Sequence, residues 1–99
     1  MPVWTLSGYE LVQGRFEPCG DHAGKWETSL LMHLDPGMQD LTPLQKADYP
    51  PIGASNNGIL ESTPEWGERA TEAVAEAVDA RLQHLLANQD RYQGHGAPM

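Results

Sequence analysis

One ten-residue stretch of the chain, GDHAGKWETS from Gly20 to Ser29, brings together the residue types that carry out proton transfer. His22 lies between two glycines, with Asp21 before it and Glu27 after it. Imidazole titrates near neutral pH, and a neighbouring carboxylate would fix its tautomer and stabilise its charged form. The pattern therefore fits a general acid or base. It also fits the capped entrance to a helix, because an acid in the first helical turn offsets the helix dipole, and spacing alone favours that second interpretation.

The elements before and after this stretch would hold it in place. Residues 3–6 are rich in β-branched and aromatic side chains, which predicts a strand from Val3 to Leu6. A loop is expected from Gln13 to Gly24. Leucines at positions 30, 31 and 34, followed by Asp-Pro-Gly, predict a short helix over residues 24–34.

The second half of the sequence contains the longest predicted element. Several prolines and a Ser-Asn-Asn-Gly turn signal predict an extended connection without a helix over residues 38–57. A closing helix then begins with either Ser62 or Thr63 as its N-cap and runs to about Ala87. Its apolar side chains share one face, and its acids form a solvated opposite face. The apolar face comprises Trp66, Ala70, Val74, Ala77, Val78, Leu82 and Leu85.

Composition excludes several classes of function. The chain has 99 residues, 39% of them hydrophobic, and a net charge of −8, which fits one small globular domain. The six basic residues are scattered and the net charge repels phosphate, so neither nucleic acid nor a membrane surface is an expected partner. No apolar run approaches the roughly 18 residues of a membrane span.

The single cysteine, Cys19, cannot form an internal disulfide, which indicates a reducing compartment and a cytoplasmic location. No basic residue is beside Cys19 in the sequence to lower its pKa, so it is not expected to act as a nucleophile.

The run GDHAGKWETSLLMHLDPGMQDL resembles the signature of the creatininase (creatinine amidohydrolase) family. In that signature, an acid-His-Ala/Gly-Gly loop with a Glu-Thr-Ser step leads into a helix that ends before a proline. The upstream run VWTLSGYEL and the downstream run NGILESTPEWGERATEAVAEAVDARLQHLL are similar to the family's strand and closing helix. The resemblance covers residues 1–89 as the C-terminal part of the family domain, and residues 90–99 are expected to form a mobile tail.

This resemblance implies a fold and an activity. The fold would be the C-terminal portion of a three-layer α/β/α domain with a parallel sheet, assembled as a homo-oligomer. The activity would be metal-dependent hydrolysis of a C–N bond in a small amide, often a cyclic one. His22 matches the catalytic histidine, Glu27 would orient His22 or a bound water, and Asp21 takes the acid position of the substrate loop.

The sequence departs from the family pattern in two ways. The family's divalent metals, Zn or Mn, are held by residues upstream of this loop that the chain lacks. The other histidines, at positions 33, 84 and 95, have no recognisable ligand spacing. No metal ligand is therefore assigned, and no metal is expected on this chain alone. Pro18 stands where creatininase carries a tryptophan, which argues against creatinine as the substrate.

Two hypotheses of different classes follow. In the first, the chain contributes the His22 and Glu27 loop to an amidohydrolase that a missing N-terminal segment or another chain completes. In the second, it is a catalytically inactive module for assembly or interaction. In either case an unpaired strand over residues 3–6 would need a partner, so we expect it to pair in parallel with strands outside this chain.

Overall fold

The computed structural model describes residues 4–17, 19–49, 52–54 and 58–92. Three α-helices lie in these ranges: α1 (Lys25–Leu34), α2 (Thr42–Gln45) and α3 (Pro64–Ala87). Short 3-10 helices occupy Gly8–Leu11, Ile59–Glu61 and Gln89–Tyr92. The first two α-helices are short, so α3, with 24 residues and a length of about 36 Å, is the principal scaffold.

The α1 helix confirms the prediction for residues 24–34. Gly24 occupies the N-cap position, and the helix ends at Leu34, before the Asp-Pro-Gly sequence. Proline disfavours helical geometry in the residue before it, which explains why the helix stops there. Trp26, Thr28 and Ser29 are its buried side chains, so the inward face includes polar residues as well as an aromatic one.

The α3 helix confirms the predicted closing helix and distinguishes between its two possible starts. Thr63 is the N-cap, and its hydroxyl oxygen accepts a hydrogen bond from the Trp66 N–H at 3.1 Å. Pro64 takes the first helical position, where the missing N–H of proline has no consequence. The buried face carries small residues, Gly67, Ala70 and Ala73, while Leu82 on the predicted apolar face is 45% exposed.

The predicted α/β fold is wrong for the part of the chain that the structure describes, which contains helices and neither a strand nor a sheet. Residues 4–7 do not form a strand; residues 4–6 are the described part of the predicted one. Val3 lies outside the described residues. This segment approaches α3 instead. The Arg81 guanidinium lies 6.0 Å from the Trp4 ring centroid, and a β-carbon on Gly8 would lie 3.2 Å from Val74.

The physical reason is that a strand needs a neighbouring strand for its backbone hydrogen bonds, whereas aromatic side chains can be buried equally well against a helix. The β-branched and aromatic composition of the N-terminal segment predicted burial, and that burial is provided by α3. The described residues contain no strand that could pair with strands outside the chain, so the structure does not support the expected parallel pairing.

The prediction that residues 38–57 contain no helix is also wrong. Thr42 to Gln45 form α2, with Pro43 in its first turn. The Thr42 N–H donates to the Asp40 carboxylate at 2.9 Å, which starts the turn. Hydrogen bonds from the Thr42 side chain and backbone lower the pKa of Asp40. The helix is only one turn long and is started by this local hydrogen bond, so the sequence shows no apolar periodicity that would predict it. Residues 50, 51 and 55–57 lie outside the described residues.

The core lies where α1, α3 and the N-terminal segment meet. Its buried apolar residues are Val12, Trp26, Ala70 and Ala73. Around them, the rings of Phe16, Trp26 and Trp66 pack edge to face, with centroids 5.2 to 6.2 Å apart. Such edge-to-face pairs each add about 0.5–1.5 kcal/mol beyond the burial of their area. Because these rings come from three segments, the cluster joins the loop before α1 to both helices.

The α1 and α3 helices approach each other closely at Ser29 and Gly67. A β-carbon on Gly67 would overlap the Ser29 carbonyl group, so the two backbones are in direct contact. Ser29 has no exposed surface, and its hydroxyl oxygen accepts the Thr63 N–H at 3.2 Å. Thr63 thus caps α3 through its side chain and binds α1 through its backbone. This contact fixes the position of α1, and with it the loop that leads into α1.

In the described ranges, none of the helices has both the length and the apolar content needed to cross a membrane.

Candidate functional site

The loop that carries His22 is held by the carboxylate of Asp21. One carboxylate oxygen of Asp21 accepts the Trp26 N–H at 2.8 Å, and the other accepts the N–H groups of Gly24 at 3.3 Å and Glu27 at 3.2 Å. The first N–H groups of a helix have no partner within the helix, and a negative charge at this end also offsets the helix dipole. Asp21 therefore caps α1, as the interpretation of a capped helix entrance predicts.

Glu27 completes the arrangement from the helix side. Its carboxylate accepts the Ala23 N–H at 2.7 Å, so the acid in the first turn reaches back to the loop while the acid in the loop reaches forward to the helix. The two interactions are reciprocal, as in a capping box. Glu27 thereby holds the peptide group that directly follows His22.

The backbone of the loop adopts geometry that most residues avoid. Ala23 has a φ of 51°, in the left-handed region that non-glycine residues rarely occupy. Gly20 has a φ of 70°, and a β-carbon at this position would lie 2.6 Å from the Tyr9 ring. The strain at Ala23 persists because the bonds to Asp21 and Glu27 fix the residues around it.

His22 is exposed to solvent on this loop. It lies between Asp21, whose carboxylate binds the start of α1, and Ala23, whose N–H is held by Glu27. The structure therefore brings all three predicted site residues into one short segment. In this segment the two acids serve as backbone acceptors. An exposed imidazole on a fixed loop can donate or accept a proton from a group that approaches from solvent.

The other histidines have different positions. His33 is half-buried in the last turn of α1. His84 lies on α3, and its Nε2 atom is 2.7 Å from the Tyr92 hydroxyl, a contact that attaches the last 3-10 helix to α3. Residues 90–92 of the predicted tail belong to this helix, while residues 93–99, including His95, lie outside the described residues.

The residues that the structure describes do not assemble a metal centre by themselves. Within the described ranges, His, Cys, Asp and Glu side chains do not gather in groups of three or more that could hold a metal ion. The carboxylates of Asp21 and Glu27 accept backbone N–H groups, which further reduces their capacity to act as ligands.

Cys19 lies two residues before Asp21 and is half-buried. Its thiol donates to the Tyr9 carbonyl oxygen at 3.4 Å. Burial raises the pKa of this thiol, and the negative charges of Glu17 and Asp21 raise it further. A raised pKa leaves less thiolate at neutral pH, in agreement with the expectation that Cys19 is not a nucleophile.

Lys25 and Gly67 are two residues near the site whose roles the sequence analysis did not identify. The Lys25 ammonium lies 5.1 Å from the Trp66 ring centroid and 3.9 Å from the Glu61 carboxylate, so it joins the start of α1 to the entrance of α3. Gly67 allows the two helices to touch. A stripe of small residues at helical spacing, Gly67, Ala70 and Ala73, is the signal that could have indicated this contact.

Comparison of the chain with protein-family models, with curated proteins and with solved structures finds no match in any of the three.

Proposed function

We propose that this chain is the C-terminal portion of a metal-dependent amidohydrolase similar to the creatininases, which hydrolyses a C–N bond in a small amide. In this proposal the chain contributes the loop around His22, and residues outside the chain complete the site. The observation that carries the proposal is the placement of an exposed imidazole on a loop whose backbone two carboxylates hold. The resemblance of this loop to the family signature supplies the reaction class.

Each loop residue has a distinct role in the proposed reaction. His22 donates a proton to the nitrogen that leaves when the C–N bond breaks, because an amine is a poor leaving group until it is protonated. Asp21 and Glu27 are positioning residues. They fix the loop through the Trp26 and Ala23 N–H groups and thereby determine where the imidazole stands.

The proposal assigns the metal ligands to the completing residues, since the described part of this chain does not assemble a metal site. A divalent ion, Zn or Mn, would supply Lewis-acid activation of the amide in the completed enzyme. The same proposal places the enzyme in the cytoplasm as a homo-oligomer, with no nucleic acid or membrane as a partner.

A second candidate function is a catalytically inactive module for assembly. Large apolar side chains that remain exposed favour it: Leu34 is 66% exposed, Met38 67% and Ile52 94%. Exposed apolar side chains indicate a contact with a partner where they form one continuous patch. An enzyme portion that docks onto its completing residues would show the same feature, so experiment must separate the two.

The test is to isolate the native assembly that contains this chain, determine the intact mass and metal content of its components, and assay it with linear and cyclic amides. We expect metal bound to ligands outside residues 1–99, and hydrolysis that His22→Ala reduces. An assembly that lacks metal and releases no amine from any of these amides would instead indicate the inactive module.

A further inference from the structure

The exposed side of α3 carries a continuous stripe of six residues, which we call the α3 stripe. Successive members are separated by four, three, four, three and four positions, the spacing that keeps residues on one face of a helix. All six are exposed. The members are Glu68, Glu72, Ala75, Asp79, Leu82 and Leu86.

The stripe changes character along the helix. Its first part is acidic, and its last two members are leucines one turn apart, 45% and 51% exposed. These leucines lie away from the buried face of α3, where Ala70 and Ala73 meet the core. Exposed leucines at this spacing form a small apolar surface, and Asp79 lies one turn before Leu82 on the same side.

The acids of the stripe are not neutralised within the described ranges. The ion pair found there joins Lys25 to Glu61 and involves no member of the stripe. The two arginines of α3 are not members of the stripe: Arg69 forms no ion pair within the described ranges, and Arg81 stacks on the Trp4 ring. The stripe therefore presents acids that are in no ion pair within the described ranges, beside an apolar end.

These features determine the chemistry of the occupant. An apolar surface flanked by uncompensated acids is complementary to a helix with leucine-type side chains on one face and lysine or arginine beside them. A second copy of this chain is a poor occupant, because its net charge is −8 and its own stripe would bring like charges together.

We infer that the α3 stripe is a docking surface for a basic amphipathic helix of another protein, with Leu82 and Leu86 as the apolar anchors and Asp79 and Glu72 as the charge partners. This inference is independent of the proposed hydrolytic function, because it uses the face of α3 away from the core and none of the loop residues.

The test uses the full chain and a synthetic helical peptide of about 18 residues, with leucines on one face and lysines beside them. Binding is measured by calorimetry and mapped by NMR chemical-shift changes. We expect the shifts to concentrate at Leu82 and Leu86, the double variant Leu82→Gln/Leu86→Gln to weaken binding at least about tenfold, and Asp79→Asn to weaken it less. We also expect binding to weaken as ionic strength rises from about 0.05 to 0.5 M.

Matched controls separate specific docking from general attraction between opposite charges. Leu34→Gln replaces a leucine on α1 that is more exposed than Leu82 or Leu86, and it should leave affinity unchanged. A peptide of the same composition, scrambled so that its leucines do not share a face, should bind at least about tenfold more weakly. All substitutions are at exposed positions, and circular dichroism verifies that the helices are retained.

The inference would be overturned by equal binding of the scrambled peptide, by a loss of affinity in Leu34→Gln as large as in the double variant, or by chemical-shift changes away from α3. Self-association of the chain that the double variant abolishes would also reject it, since the occupant would then be a second copy.

Discussion

Gly67 packs directly on the backbone of Ser29, and no other residue type fits at this position without moving one of the two helices. Ser29 is fully buried, and its hydroxyl also accepts the N–H of Thr63, the cap of α3. At this point α1 and α3 are held together by backbone contact and one hydrogen bond, beside the edge-to-face packing of Trp26 on Trp66. A side chain at position 67 would overlap the Ser29 backbone, so the close packing of the two helices here requires glycine.

The first prediction is that Gly67→Ala destabilises the protein, although alanine is the better helix former. Overpacking costs about 1–3 kcal/mol, while the gain in helix propensity is about 1 kcal/mol, and the overlap here is with backbone that cannot rotate away. We expect a lower free energy of unfolding in urea, followed by circular dichroism. As a control, Ala80→Gly at an exposed position of α3 measures propensity alone. Greater stability of Gly67→Ala would show that the helices do not touch.

The second prediction concerns the cap of α1. Asp21→Ala removes the acceptor for three backbone N–H groups and should lower the free energy of unfolding by about 1–2 kcal/mol. Asp21→Asn keeps one acceptor oxygen and should lose less. Asp35→Ala, at the other end of α1, is the matched control and should change stability by less than about 0.5 kcal/mol. Hydrogen exchange of the Trp26 amide should accelerate in Asp21→Ala, and unchanged exchange would contradict the capping role.

The third prediction concerns Cys19, whose raised pKa makes it a slow nucleophile. At about pH 8, alkylation by iodoacetamide should be slower in the folded chain than in urea. The thiolate is the reacting form, and the raised pKa leaves less of it in the folded chain. Glu17→Gln and Asp21→Asn each remove a negative charge near the thiol and should accelerate the reaction. Alkylation that is faster in the folded chain would contradict the direction of the shift.

The same shift gives the sign of a pH effect on stability. The folded chain holds the Cys19 proton more tightly than the unfolded chain does, so stability is unaffected below the unfolded pKa and falls as the pH rises above it. Cys19→Ala should remove this part of the alkaline loss of stability. The measurement is the urea midpoint of both proteins across the alkaline range.

The fourth prediction rests on the proposed function. In the complete native assembly, His22→Ala should lower kcat by roughly 10²–10⁴-fold with normal metal content, because it removes a proton donor. Glu27→Gln should lower kcat less, since its effect passes through the Ala23 peptide. Because His22 is exposed, the circular dichroism spectrum of His22→Ala should match that of the wild type. An unchanged kcat for His22→Ala would remove the catalytic assignment.

The fifth prediction is that this chain alone binds no stoichiometric Zn²⁺ or Mn²⁺ with high affinity. The described residues bring no three ligand-type side chains together, and two carboxylates of the loop already accept N–H groups. Metal analysis after dialysis is the measurement. Two tightly bound equivalents per purified chain would show that ligands come from within it.

The two longer helices were predictable because their signals are local. Leucines at helical spacing and the Asp-Pro-Gly stop define α1, and a threonine before a proline defines the start of α3. A capped helix entrance was one of the two interpretations of this stretch, but the sequence did not indicate that Asp21 makes the cap. The role of His22 was open in the sequence, and it stays a proposal.

The predicted sheet failed because it depended on the environment of residues 3–6. Alternating aromatic and β-branched residues indicate burial, and sequence cannot tell whether a strand or a helix covers them. The contact between Gly67 and Ser29 was hidden for a related reason. A glycine inside a helix lowers its helix propensity, and the sequence does not show the neighbouring helix whose close approach requires it.

The docking of the N-terminal segment on α3 also determines when the chain can fold during synthesis. Trp4 leaves the ribosome long before its partner Arg81 is made, and Val12 and Trp26 must wait for Ala70 and Ala73. Contacts so distant in sequence form slowly, because a long loop must close before they contribute. The growing chain therefore exposes its aromatic residues until most of α3 has emerged. Apolar surface exposed in this way favours aggregation until the core has formed.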